Sequence, residues 1–309
     1  MQRRDERPEL SLHRHPAGQR PAARGLRLDR QAAVHRAEAA VSEVAATLRQ
    51  PALFIPHGGG PCFFMPDPRG IWRGMEAYLK GLAASLPTKP KAILVISGHW
   101  EARAFTFTGA AEHPGLIFDY YGFPPETYRL TWPAPGAPWL AERGRELIAT
   151  AGLPAAIDPE RGFDHGVFVP LKVAFPEAEI PVVQMSLHAS LDPALHLAAG
   201  QALAPLRDEG VLIVGSGMSF HNLRAYGDPR VREPSAQFDR WLVHAAEASG
   251  TERAKLLAGW QAAPWARLCH PREEHLLPLM VAAGVSNEPG RHDYGEEVLG
   301  GAVSGFRFT

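Results

Sequence analysis

From Pro51 onward, short β-branched and apolar runs alternate with longer amphipathic stretches, and that alternation confines the chain to an α/β architecture. The expected form is a single globular domain with a central mixed sheet flanked by helices. The strand runs are ALFIP (Ala52 to Pro56), KAILVIS (Lys91 to Ser97), FTFTG, IPVVQMSL (Ile180 to Leu187), VLIVGSG (Val211 to Gly217) and the tail GFRF. Amphipathic spacing predicts helices over Trp72 to Leu86, Pro138 to Ala151, Pro193 to Arg207 and Ser235 to Ala248, with another beginning near Pro271. Pro278 is expected to kink or shorten the last of these.

The first fifty residues follow a different rule. They carry ten Arg and six acids, no Lys, and few large apolar residues before Leu48, so they are expected to be a flexible extension outside the fold. Six acids argue against a transit peptide. One short amphipathic helix is expected over Ala37 to Leu48, leading into a domain that spans 51–309.

Charge narrows the partners. Thirty-two Lys plus Arg against 33 Asp plus Glu give a net charge of −1, which supplies no broad attraction to nucleic acid or to an anionic membrane. No run approaches the ~20 apolar residues of a membrane span. Cys62 and Cys269 are too few for a disulfide scaffold and read as buried, inert thiols, so a reducing cytoplasm is the expected compartment.

Three strand runs end in histidine-bearing turns: FIPHGGGP carries His57, VISGHWE carries His99 and IVGSGMSFHNL carries His221. In open α/β sheets the carboxyl ends of strands line the ligand crevice, so separate strands deliver these imidazoles to one place. The neighbouring glycines (Gly58 to Gly60, Gly98, Gly215 and Gly217) are expected to permit sharp turns and leave room for a ligand. His165 lies in GFDHGVFVPL, where Asp164 is the expected orienter of its ring. His275 lies in HPREEHLLP beside Glu273 and Glu274, five residues after His270. Imidazole mixed with carboxylate suits a divalent metal with open coordination positions. His13, His15 and His35 fall in the extension, and His113, His188, His196, His244 and His292 have no supporting motif.

The set PHGGGP, ISGHWE, FDYYGFPPETYRLTWPAPG, GFDHGVFVPL, GSGMSFHNL and HPREEHLLP resembles the class III extradiol ring-cleaving dioxygenases. It is most similar to their DOPA-dioxygenase-like branch, related to the protocatechuate 4,5-dioxygenase β subunit. The motifs run in family order from Pro51 to about Thr309. One departure is Gly59-Gly60-Pro61 where relatives commonly show Ser-Pro, a difference that bears on substrate shape. The resemblance implies a catechol and O2 as small-molecule substrates and Fe(II) as cofactor, with Zn2+ able to occupy the same site after purification. His57, His99 and His275 would be the metal ligands, with Glu274 as runner-up for the third position. His221 would be the active-site base, or a fourth ligand in a zinc form, and His165 the second catalytic imidazole.

The aromatic-rich segment beginning at Phe118 supplies candidate pocket walls, Trp100 and Tyr120 foremost. Arg129 and Arg161 are candidates for meeting a substrate carboxylate. Two alternatives stay open at this point: a zinc-dependent hydrolase, since three imidazoles around Zn2+ activate water, and a non-enzymatic MEMO-like binding protein on a related fold. Oligomeric state and the identity of the catechol are not encoded in these motifs.

Overall fold

The computed structural model describes residues 49–109 and 112–309, so residues 1–48 of the extension, with the helix expected over Ala37 to Leu48, lie outside the described residues. Gln50, expected outside the fold, is instead buried and donates its N–H to the Arg207 carbonyl (3.0 Å). Eight strands form one mixed sheet: β1 (Ala52–Pro56), β2 (Ala92–Ala102), β3 (Phe105–Thr108), β4 (Ala155–Asp158), β5 (Val182–His188), β6 (Val211–Gly217), β7 (Arg291–Val298) and β8 (Gly301–Phe308). Their spatial order is β4-β3-β5-β2-β6-β1-β8-β7. The middle of the sheet, β5-β2-β6-β1, is parallel, and β8 and β7 add an antiparallel edge. Every residue of β1 and β6 is buried, as required of strands covered on both faces, which is why both read as unbroken apolar runs.

The helices are α1 (Arg73–Gly81), α2 (Pro138–Thr150), α3 (His165–Ala174), α4 (Pro193–Leu203), α5 (Pro205–Asp208), α6 (Arg232–Glu247), α7 (Gly250–Ala258), α8 (Ala266–Cys269) and α9 (Leu277–Gly284). One group packs α1 on α3, with α3 against β2 and β6. Another packs α9 on α4, β6 and β1, with α6 against β8. The expected helix over Pro193 to Arg207 is two pieces, because Pro205 lacks the N–H that would continue it and instead begins α5.

Two corrections to the sequence reading bear on the histidines. Pro278 does not kink a helix that begins near Pro271; it stands in the first turn of α9, where its missing N–H costs nothing, and 270–276 is loop. His99 is not in a turn after its strand, since β2 continues to Ala102. Between Ile96 and Glu101 five steps of β2 run against two of β5 (Met185 to Leu187), so Ser97 to Trp100 form a bulge. Such insertions re-aim side chains beside functional sites, and this one carries His99.

Candidate metal centre

Parallel β1, β2 and β6 are neighbours, so their carboxyl ends share one edge of the sheet, and three of the histidines arrive there by chain direction alone. His57 directly follows β1, His99 rides the β2 bulge, and His221 lies four residues beyond β6. The 270–276 loop brings the remaining ligand candidate. It docks where Met218 N–H donates to the His275 carbonyl (3.0 Å) and His221 N–H to that of Cys269 (3.0 Å). A Cβ on Gly217 would stand 2.1 Å from the His275 carbonyl oxygen, and one on Gly98 would stand 3.1 Å from that of Glu274. These two glycines therefore admit backbone rather than ligand, a correction to the role expected of them.

Five imidazoles meet in the resulting crevice. His57, His99 and His165 each offer a nitrogen within 4.8 Å of the others, and His221, Glu274 and His275 form a second such set. The sets join where His99 Nε2 and His275 Nε2 stand 3.2 Å apart. His165 meets His99 ring against ring, with centroids 3.9 Å apart at 48°. His221 stacks on His275 at 3.4 Å and 17°. Geometry alone admits either His275 or His165 as partner to His57 and His99. The nitrogen-to-nitrogen approach favours His275.

The outer ring nitrogens are held by oxygens, which leaves the inner ones as lone pairs. His57 Nδ1 donates to the Gly58 carbonyl (3.0 Å) and His275 Nδ1 to Glu274 (3.0 Å), while His99 Nδ1 lies 3.5 Å from Asp119. His57 Nε2 is buried with no hydrogen-bond partner among the described residues. Such an orphan costs about 1–3 kcal/mol unless something fills it. Two imidazole nitrogens sharing one ion at about 2.1 Å each stand about 3.0–3.4 Å apart, and the observed 3.2 Å fits. Burial, and then repulsion from neighbouring imidazoles, holds His57 and His99 well below the usual histidine range. Burial likewise brings His275 down to about 4 against the pull of Glu274. All three are neutral at pH 7, the form that binds a metal.

Around this face stand the other expected residues and one that the sequence reading missed. Asp164 does not orient His165. It is fully buried behind the ring, accepting from Ser97 Oγ (2.8 Å) and Gln184, and burial raises its carboxyl. Asp119 takes the orienting role: its Oδ1 accepts from His165 Nδ1 (2.7 Å) and from His165 N–H (3.0 Å). Burial would raise the Asp119 carboxyl, but these bonds hold it below the usual range. Its only local sign was an acid within the aromatic run FDYYG.

Tyr120 is buried with its ring 5.6 Å from His165, edge-on, and its hydroxyl donates to the Thr127 carbonyl (2.7 Å). Trp100 is buried with one face under the Arg161 guanidinium at 4.3 Å, whereas Arg129 is exposed. His270 is fully buried, bonded to the Ser219 carbonyl (2.8 Å), and serves to pin the loop. Cys62 and Cys269 are buried free thiols, each pushed up to about 12 by burial. No helix among the described residues is long and apolar enough to cross a membrane.

Comparison with known proteins gives a consistent picture. Residues 52–306 match the family model described as the catalytic LigB subunit of aromatic ring-opening dioxygenase. A dioxygenase, tasH, of Hapsidospora irregularis is 40% identical over 273 residues, covering 81% of this chain and 82% of the relative. The 4,5-DOPA dioxygenase extradiol of Escherichia coli K12 is 36% identical over 248 residues, covering 78% and 87%; that of Beta vulgaris is 39% identical over 240, covering 76% and 86%. A crystal structure of an uncharacterized protein from Escherichia coli K12 superposes with a TM-score of 0.68 at 30% identity, covering 84% of this chain and all of that one.

Proposed function

Since the chain belongs to the LigB family of aromatic ring-opening dioxygenases and is an extradiol ring-cleavage enzyme of the DOPA-dioxygenase-like branch, we propose that it opens a catechol with O2 at Fe(II) held by His57, His99 and His275. Membership replaces the hydrolase and binding-protein alternatives. The observation that carries the metal assignment is the buried, unpartnered Nε2 of His57 beside the 3.2 Å approach of His99 Nε2 and His275 Nε2. Bound Fe(II) supplies the redox chemistry that couples O2 to an aromatic diol.

The remaining roles fall to the chain's own groups. His221 lies against the ligand face, stacked on His275, and takes the second catechol proton; Glu274, 3.5 Å from its Nδ1, stabilises the imidazolium that results. Asp119 fixes a proton on His165 Nδ1, which leaves Nε2 to accept the first catechol proton as substrate binds and to return that proton to the opening ring. Tyr120 is a wall behind His165, its hydroxyl already committed to Thr127. Trp100 offers the face not covered by Arg161. Residues 51–309 form the catalytic unit. Several relatives are named for DOPA, which supports testing catechols with a carboxylate side chain first.

The test is anaerobic reconstitution with Fe(II), then addition of DOPA, caffeate, protocatechuate or an aminophenol in air. A yellow ring-fission product with one O2 consumed per substrate is expected for at least one of them. Failure of every compound with stoichiometric iron bound would sink the proposal. His275→Ala is expected to lose iron and Glu274→Gln to retain it; the reverse outcome reassigns the third ligand.

A further inference from the structure

The opposite edge of the sheet carries a second concentration of charge. A cavity of about 510 Å3 opens there, lined by Arg49, Arg207, Arg291 and Arg307 together with Ser85 and Thr309. Arg49 precedes β1, Arg207 precedes β6, Arg291 begins β7 and Arg307 is near the end of antiparallel β8, so strand direction puts all four at one end. The five residues of β1 separate this end from His57 by roughly 16 Å.

The positive charge here is not balanced. Among the described residues, the carboxylates within ion-pairing distance of the four arginines are Asp208, 3.2 Å from Arg49, and Asp293, which bridges Arg291 and Arg307. Against the four guanidinium charges stand these two and the terminal carboxylate of Thr309 on the cavity wall, an excess of one positive charge among the described residues. Arg291 and Arg307 are direct cross-strand partners, and Asp293 is the anion that lies between them. Arg207 is the most telling. It is fully buried, its Nε donates to the Gln50 carbonyl (2.8 Å) and its Nη1 to that of Val285 (3.3 Å), and it has no carboxylate partner. Burial, with Arg49 adding to it, brings its pKa down to about 10, which leaves it charged at neutral pH. A buried, charged guanidinium aimed at a cavity and anchored only by carbonyls is costly unless an anion completes it.

We propose that this arginine-lined cavity is a binding site for a phosphate-class oxyanion, free or carried on a small molecule. Planar guanidinium forks match phosphate oxygens two at a time, which a scattered lysine surface does not. The Ser85 hydroxyl accepts from Arg307 (2.7 Å) and donates to the Leu82 carbonyl (2.7 Å), so it holds that guanidinium at the cavity wall. The site is independent of the ring-opening reaction in position and in chemistry.

The test is calorimetric titration of inorganic phosphate into the full-length, metal-loaded protein at low ionic strength, with chloride matched for ionic strength as the control. One phosphate per chain with Kd at or below about 1 mM is expected. Arg49→Ala and Arg291→Ala, both exposed side chains whose loss leaves the buried Arg207 in place, should together raise Kd at least about tenfold while ring opening is unchanged. Arg240→Ala, the same charge change on α6, should leave Kd unchanged. Binding that persists in the double variant but vanishes when the metal is chelated would place the phosphate at the histidine site and overturn the proposal. So would equal effects of phosphate and chloride, or equal losses in the double variant and Arg240→Ala.

Discussion

Asp119 is the residue on which the catalytic arrangement can be tested most sharply, because it touches two imidazoles yet is outside the proposed ligand set. Its Oδ1 receives the His165 ring proton at 2.7 Å and the His165 N–H at 3.0 Å, and Oδ2 lies 3.5 Å from His99 Nδ1. Asp119→Asn keeps the shape and one acceptor oxygen but removes the charge. A hydrogen bond to a charged group is worth about 1.5–3 kcal/mol and a neutral one about 1, so the substitution gives up about 0.5–2 kcal/mol. At about 1.4 kcal/mol per tenfold, kcat should fall about 2- to 30-fold. Asp119→Ala, which removes the acceptor altogether, should cost about 10- to 150-fold, mostly below the roughly 10²- to 10⁴-fold loss usual for removing a general acid, as fits a group that orients the acid. Oxygen uptake with the best catechol gives kcat and KM separately. KM, melting temperature and iron content are expected to stay near wild type, because the loss lies in orienting His165 during proton transfer. An Asp119→Ala enzyme with undiminished kcat would refute the orienting role. A loss of activity fully explained by loss of iron would show that Asp119 acts through His99 alone.

Two further outcomes follow. A chain beginning at Arg49 should match the whole protein in melting temperature and ring-opening rate, since the preceding segment lacks the apolar density to pack on a core; a clear drop in either would show that it docks. Stability should also decline in acid. Burial holds His196 down to about 4 and His270 to about 3, so both are neutral in the folded chain and bind protons in the unfolded one from about pH 6.5 downward. Their contribution is intact above pH 6.5 and is lost as pH falls toward about 4, by roughly 3 kcal/mol for His196. His196 Nε2 accepts from His188 N–H at 3.1 Å, a bond that protonation breaks. Urea unfolding across that window should show the slope, and His196→Gln should flatten it; a flat wild-type profile would contradict the argument.

The strands that sequence placed exactly, β1 and β6, are continuous apolar runs bounded by Pro and Gly, and burial on both faces makes such runs unambiguous. What escaped was structure without that signature. β7, RHDYGEEV, is a mostly exposed edge strand whose partners are fixed by β8, and β4 is four half-buried residues. α3 was missed because eight of its ten residues are buried and Pro170 interrupts it, leaving no amphipathic stripe to read. The histidines were legible because each sits in a short motif, with His57, His99 and His221 at or just beyond strand ends. Asp119 was not, because it reaches His165 across 46 residues and only the fold brings them together.

The same loop geometry bears on why an imidazole rather than a carboxylate is the better third ligand. Glu274 is adjacent to His275 in sequence, but its carboxylate is already engaged by His275 Nδ1 at 3.0 Å, His221 Nδ1 at 3.5 Å and Arg272 at 3.4 Å. Burial would raise it, yet those contacts hold it far below the usual carboxylate range, so it stands as an anion serving two rings at once. Turning it toward His57 Nε2 would leave both rings without their acceptor. In the proposed site three neutral imidazoles would also leave the two positive charges of a divalent ion for substrate oxygens to meet, which would favour a fully deprotonated diol. In the proposed assignment Glu274 orients the ligand without being one, so Glu274→Gln should still take up iron at saturating Fe(II), with affinity weakened by about 10- to 100-fold.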